Sequence, residues 1–137
     1  IQFAHGYFSS VLHELSHWCV AGKQRRLLPD YGYWYEPDGR TPEQQKLFEQ
    51  VEVKPQALEW LFTHATGQKF RLSIDNVNQP DIKPSQLFKE RVYDQTQHYL
   101  LEGLPPRAQL FLNALLMHFK SGTSYLDKCA FQLYMLD

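Results

Sequence analysis

The sequence predicts an α+β fold: a mostly helical single domain with a small sheet. Three observations carry that expectation. Apolar residues recur at three- and four-residue intervals over long stretches, the mark of helices with one buried face. Two short segments alternate instead, residues 1–5 and residues 70–74, and read as strands. The 137 residues are 43% hydrophobic and 21% charged, which suits one packed domain and argues against a disordered chain.

The elements follow in order. In residues 1–5, apolar Ile1 and Phe3 alternate with Gln2. A strand at that position has no partner before it, so an upstream segment is expected. Gly6 breaks the strand. Ser9 or Ser10 is the expected N-cap of a helix running to about Ala21, with Gly22 as its terminating glycine and Lys23, Arg25 and Arg26 at its negative end. Residues 30–40, DYGYWYEPDGR, read as an ordered loop or hairpin, because a linker would not carry four aromatic side chains. Thr41-Pro42-Glu43 is a strong helix start: a capping hydroxyl, a proline suited to the first turn and a carboxylate at the positive end. Leu47, Phe48, Val51, Leu58, Leu61 and Phe62 continue the pattern. Pro55 is expected to kink or restart it, giving a helix over 42–53 and a second half to about Ala65. After the 70–74 strand comes a polar stretch over 75–83. Pro84 opens a helix to Glu102, stopped by Gly103 and Pro105-Pro106. A last long helix spans about 107–119, with Leu110, Phe111, Ala114, Leu115 and Phe119 as its inner face. Residues 125–136 are apolar with helical tendency.

Charge and cysteine content narrow the function classes. With 14 basic against 15 acidic side chains the net charge is −1, so no global basic field exists to hold nucleic acid. No apolar run approaches the ~20 residues of a membrane helix. Cys19 and Cys129 are too few for a disulfide framework and read as small core residues. A reduced, cytoplasmic protein is expected.

The chemistry is carried by His13-Glu14-Leu15-Ser16-His17. Residues four apart on a helix lie one turn above each other, so two imidazoles at this spacing can meet one metal ion. By chance the pattern arises on the order of once in a hundred such sequences, which favours a metal site over two ordinary helix histidines. Glu14 points about 100° away from His13. A third protein ligand is required, and no third histidine follows nearby. The helix after Pro42 offers Glu49 and Glu52. Glu52 lies between Val51 and Val53 next to the Pro55 kink and is preferred; Glu43 and Glu49 read as solvent-facing. His5, at a strand end, is a candidate catalytic contact. His64, His98 and His118 read as surface or satisfied core residues. Tyr33 and Trp34 either cover the core or, with Tyr35, wall the site and grip a substrate; Asp38 and Arg40 would then hold the loop. The Lys23, Arg25 and Arg26 cluster reads as a solvated helix end.

Two histidines and a carboxylate suit zinc or iron, and spacing alone favours zinc hydrolysis with Glu14 as general base. The wider strings point elsewhere. IQFAHGYFSSVLHELSHWCVAGKQRR, DYGYWYEPDGR and FEQVEVKPQALEWLF together resemble the bacterial elongation factor P hydroxylase family, densely over residues 1–75. The resemblance implies a non-haem Fe(2+) enzyme. It uses molecular oxygen to hydroxylate a lysine of elongation factor P that already bears a β-lysyl group. The ligands it implies are His13, His17 and Glu52; zinc or another divalent metal could occupy the site after purification. It also implies a fold like the metal-dependent ribosome-maturation ribonucleases, a small sheet packed by helices, preceded by a further N-terminal segment. A cationic substrate would want an acidic contact, for which Asp75, Glu36 and Asp38 are candidates. The competing readings are a zinc peptidase, a metal-dependent ribonuclease and a module with a structural metal.

Overall fold

Thr41 starts the longest helix as expected. Its hydroxyl accepts from the Gln44 amide, and the Gln44 side chain accepts in return from the Thr41 amide, a reciprocal cap that satisfies two otherwise free donors. In the computed structural model, which describes residues 1, 6–28, 40–74, 82–119, 126 and 130–137, this helix is the centre of a four-helix arrangement. The helices are α1 (Phe8–Val20), α2 (Pro42–Ala65), α3 (Gln86–Glu102) and α4 (Pro106–His118), with 3-10 turns at Arg25–Leu27 and Leu133–Leu136. Helix α2 packs against α1, α3 and α4. No helix is long and apolar enough to cross a membrane among the described residues.

Helix α2 runs unbroken through Pro55, where a kink or restart was expected. Proline removes one helix hydrogen bond and costs about 3 kcal/mol in a helix interior. Residues 55–63 are buried on every side, and Leu58, Leu61 and Phe62 are wholly inaccessible. Burying each of those three contributes roughly 1.5–3 kcal/mol. Packing therefore outweighs the proline.

The α+β expectation is overturned: no strand occurs among the described residues. Residues 70–74, expected as a strand, take no regular secondary structure, and their backbone pairs with side chains. The Ser73 amide donates to Gln56 Oε1 at 3.0 Å, and the Ser73 carbonyl accepts from Gln56 Nε2 at 2.6 Å. The Ile74 carbonyl accepts from Arg40 Nη1 at 2.8 Å. Phe70 stacks on Trp60 and Ile74 is buried. Alternation reports one buried face; it does not report what satisfies the backbone. The other expected strand, residues 1–5, lies outside the described residues from Gln2 to His5.

Helix α1 also differs from expectation. It begins at Phe8 after Tyr7, with Ser9 and Ser10 inside it and no side-chain cap. Gly22 does not take a left-handed conformation; among the described residues the positive-φ glycines are Gly6, Gly67 and Gly103. The terminal carbonyls are met from α4 instead, where Arg107 Nη2 donates to the carbonyls of Cys19 and Ala21. The same guanidinium lies 4.4 Å from the Trp18 ring centroid. Rather than being largely buried, α1 buries one stripe, Leu12, Ser16 and Cys19, against its neighbours.

Helix α3 starts two residues after Pro84, capped by the Ser85 hydroxyl. Its buried stripe is Phe88, Val92, Thr96 and Tyr99. On α4 the expected inner face holds in part: Leu115 is buried and Phe111 packs edge-on against Phe62, but Leu110, Ala114 and Phe119 are exposed, and Ala108, Leu112 and Leu116 face inward in their place. The helix carries apolar residues all round, so spacing alone could not orient it. Of the apolar tail, Phe131 is buried edge-on against Trp60, and Leu133–Leu136 is a 3-10 turn.

Gln56→Ala would free both polar groups of Ser73. We expect a loss of about 1–3 kcal/mol, read as a lower urea midpoint with unchanged far-UV circular dichroism.

Candidate metal centre

The stripe that α1 turns toward α2 is bordered by His13 and His17, one helical turn apart. Across from them, the buried half of α2 carries Glu52, Gln56 and Glu59, spaced by four and three residues and so aligned on one face. Glu52 Oε1 lies 2.9 Å from His17 Nε2, and Glu52 Oε2 lies 3.9 Å from His13 Nε2. The two Nε2 atoms are 3.2 Å apart. Three ligand atoms thus converge from two helices, and these residues could hold one metal ion.

Metal–nitrogen bonds of about 2.0–2.1 Å place neighbouring ligand atoms about 2.8–3.4 Å apart in octahedral or tetrahedral sites. The 2.9 Å from Glu52 Oε1 to His17 Nε2 and the 3.2 Å between the two Nε2 atoms fall in that range, while His13 Nε2 lies farther from Glu52, 3.9 Å from its other oxygen. All three donors are side chains of α1 and α2.

Each side of the cluster has a supporting contact. His13 Nδ1 lies 2.8 Å from Glu59 Oε2. Gln56 Nε2 donates to Glu52 Oε2 at 3.0 Å while the same amide holds Ser73. In the metal-free protein, burial disfavours the charged His13 ring. The hydrogen bond to Glu59 and the charges of Glu59, Glu52 and Glu14 outweigh burial and lift its pKa to about 9. For Glu52, burial pushes upward, but the hydrogen bond and charge of His17, the charge of His13 and the Gln56 amide hold its carboxyl below the usual value. For Glu59 burial wins, and its carboxyl is raised despite His13.

The remaining candidates separate clearly. Glu14 is half-buried next to His13 and adds negative potential there. Glu49 is engaged elsewhere: its carboxylate accepts from the Ser85 amide at 3.2 Å and the Ser85 hydroxyl at 2.6 Å, joining α2 to the start of α3. His64 packs on Phe131, and His98 and His118 are exposed. Burial raises the Cys19 thiol to about 11 despite the charge of Arg107, in keeping with a small core residue. Arg40 lies over the Phe48 ring, 3.7 Å from its centroid. His5, Tyr33, Trp34, Glu36, Asp38, Asp75 and Cys129 lie outside the described residues.

Comparison with known proteins follows the same direction as the site. A family model described as elongation factor P hydroxylase matches residues 1–129. The chain belongs to that family. A relative from Haemophilus influenzae, named elongation factor P lysine hydroxylase, is 51% identical over 121 residues, which is 88% of this chain and 67% of the relative.

Sequence reasoning missed Gln56 and Glu59. The signal was present: Gln56 adjoins and Glu59 interrupts an otherwise apolar run of Ala57, Leu58, Trp60, Leu61 and Phe62, on the same helical face as Glu52. Buried polar residues need partners.

Two outcomes are expected. Glu52→Ala should weaken divalent-metal binding far more than Glu49→Ala, measured by chelator competition; Glu49→Ala should mainly lower stability. In the metal-free protein, His13 has a folded pKa above its unfolded value. Its contribution to stability is therefore fully present below about pH 6.5 and is lost as the pH rises through about 9. Urea midpoints across that window, compared with those of His13→Gln, check the sign.

Proposed function

We propose that this chain hydroxylates the β-lysylated lysine of elongation factor P at a non-haem iron centre held by His13, His17 and Glu52. The observation that carries the proposal is the convergence of two imidazoles and one carboxylate on one side of a site, in a chain of this family. That donor set suits iron with open positions for oxygen and substrate. A structural metal normally takes four protein ligands, and three converge here among the described residues. Bound iron would supply the activation of molecular oxygen that oxidation of an unactivated carbon requires.

The chain's own residues bind and orient. His13 and His17 present Nε2, and Glu52 presents its carboxylate with Gln56 against one oxygen. Preorganised ligands of this kind leave the protein little to rearrange during reaction. The negative potential of Glu52, Glu59 and Glu14 favours a cation in the site and also suits a cationic lysine chain arriving beside it. Tyr33, Trp34 and Asp75 are proposed as contacts to that chain, with His5 at the rim. Glu14 is assigned an orienting role. A zinc hydrolase would need Glu14 as an essential general base, and a ribonuclease would want a basic surface that a net charge of −1 does not supply.

The test is mass spectrometry of the modified elongation factor P peptide, looking for one added oxygen in cells carrying each variant as sole copy. His17→Ala should abolish the added oxygen. Glu14→Gln should reduce it only partially, by ~10–100-fold at most. Complete loss in Glu14→Gln with metal content unchanged would show that Glu14 performs chemistry beyond orientation.

A further inference from the structure

We propose that Glu59 is a positioning residue of the metal centre: its carboxylate holds the His13 ring so that Nε2, and not Nδ1, is presented to the metal. The inference rests on the metal-centre reading above and extends it to a residue outside the ligand set.

An imidazole has two nitrogens, and when neutral only one of them carries a proton. Whichever nitrogen donates a hydrogen bond leaves the other with a free lone pair for a metal. His13 Nδ1 meets Glu59 Oε2 at 2.8 Å. An ionised carboxylate only accepts, so in the neutral, metal-bound ring the proton belongs on Nδ1 and the lone pair on Nε2. That Nε2 is the atom that faces His17 Nε2 at 3.2 Å and Glu52 Oε2 at 3.9 Å. Glu59 sits behind the ring, away from these three donors, so it acts through His13 and is not a fourth ligand.

Location strengthens the assignment. Glu59 is only 7% exposed, between Leu58 and Trp60. A carboxylate buried in an apolar wall is costly unless paired, and the partner it has is the ligand histidine on the neighbouring helix. Glu59 shares a face of α2 with Glu52, so the same rigid helix supplies one ligand and orients another. The support is asymmetric: among the described residues, His17 has no comparable contact at Nδ1. Fixing His13 also fixes the rotation of α1 about its axis, and with it the direction of His17 one turn away.

The experiment uses zinc as a diamagnetic probe on the whole chain, with Glu59→Gln, Glu59→Met and His17→Ala. Long-range nitrogen–proton NMR of the zinc-loaded protein reads which His13 nitrogen carries the proton. Chelator competition reads affinity, and circular dichroism of the metal-free protein reads folding. Glu59→Met offers only a weak sulfur acceptor: zinc binding should weaken ~10–100-fold, and the strongly hydrogen-bonded Nδ1 proton signal of His13 should be lost while the fold persists. Glu59→Gln keeps an acceptor oxygen and should retain both the proton signal and most of the affinity. Zinc binding as tight in Glu59→Met as in the wild type would overturn the inference while leaving the metal centre standing. Lost affinity with an unchanged His13 proton would do the same. Should Glu59→Met fail to fold, the Gln variant decides: a folded Gln variant as weak as His17→Ala overturns the proposal. A wild-type chain that takes up no zinc overturns the metal-centre reading and this inference with it.

Discussion

The structure depends on how two buried carboxylates of α2 are compensated. Glu52 and Glu59 lie within the most enclosed part of the molecule, where an unpaired charge would be strongly destabilising. Their partners are the two histidines of α1, at 2.9 and 2.8 Å. The requirement is mutual: α1 buries only a narrow stripe, so its register against α2 is set as much by these polar contacts as by Leu12 and Cys19. Arg107 then closes the far end of α1 by occupying its last carbonyls, which prevents the histidine-bearing helix from sliding along its neighbour.

A second constraint is backbone satisfaction. Residues 70–74 lie against α2 through Ser73, with no strand among the described residues to pair with. Gln56 fills that role by giving its whole amide to Ser73, one oxygen to the amide and one nitrogen to the carbonyl. Because the same nitrogen also reaches Glu52, the contact that satisfies the Ser73 backbone is also a contact to the candidate site. Fold and site therefore share one residue, and a change at Gln56 is felt by both.

Two imidazoles of α1 and one carboxylate of α2 meet where these helices are held together by packing, by capping and by charge. That donor set suits a divalent cation.

Local features were legible in the sequence because their physics is local. The His13 and His17 pair is defined by helical pitch, the Thr41 cap by adjacent backbone donors, and the helices by periodicity. The strings around them also carried the family. Glu52 stood out by its apolar neighbours. What separates it from Glu49 is tertiary, since Glu49 is occupied by Ser85, which lies 36 residues away in sequence. The absence of a sheet among the described residues was equally beyond sequence reading, because alternation reveals a buried face and not the identity of a hydrogen-bond partner. The inward face of α4 needed its neighbours too, since apolar residues surround that helix. Glu59 and Gln56 show the same limit. Their spacing along α2 is written in the sequence, but their meaning comes from facing His13 and Ser73, and only the folded chain brings those groups within hydrogen-bond reach.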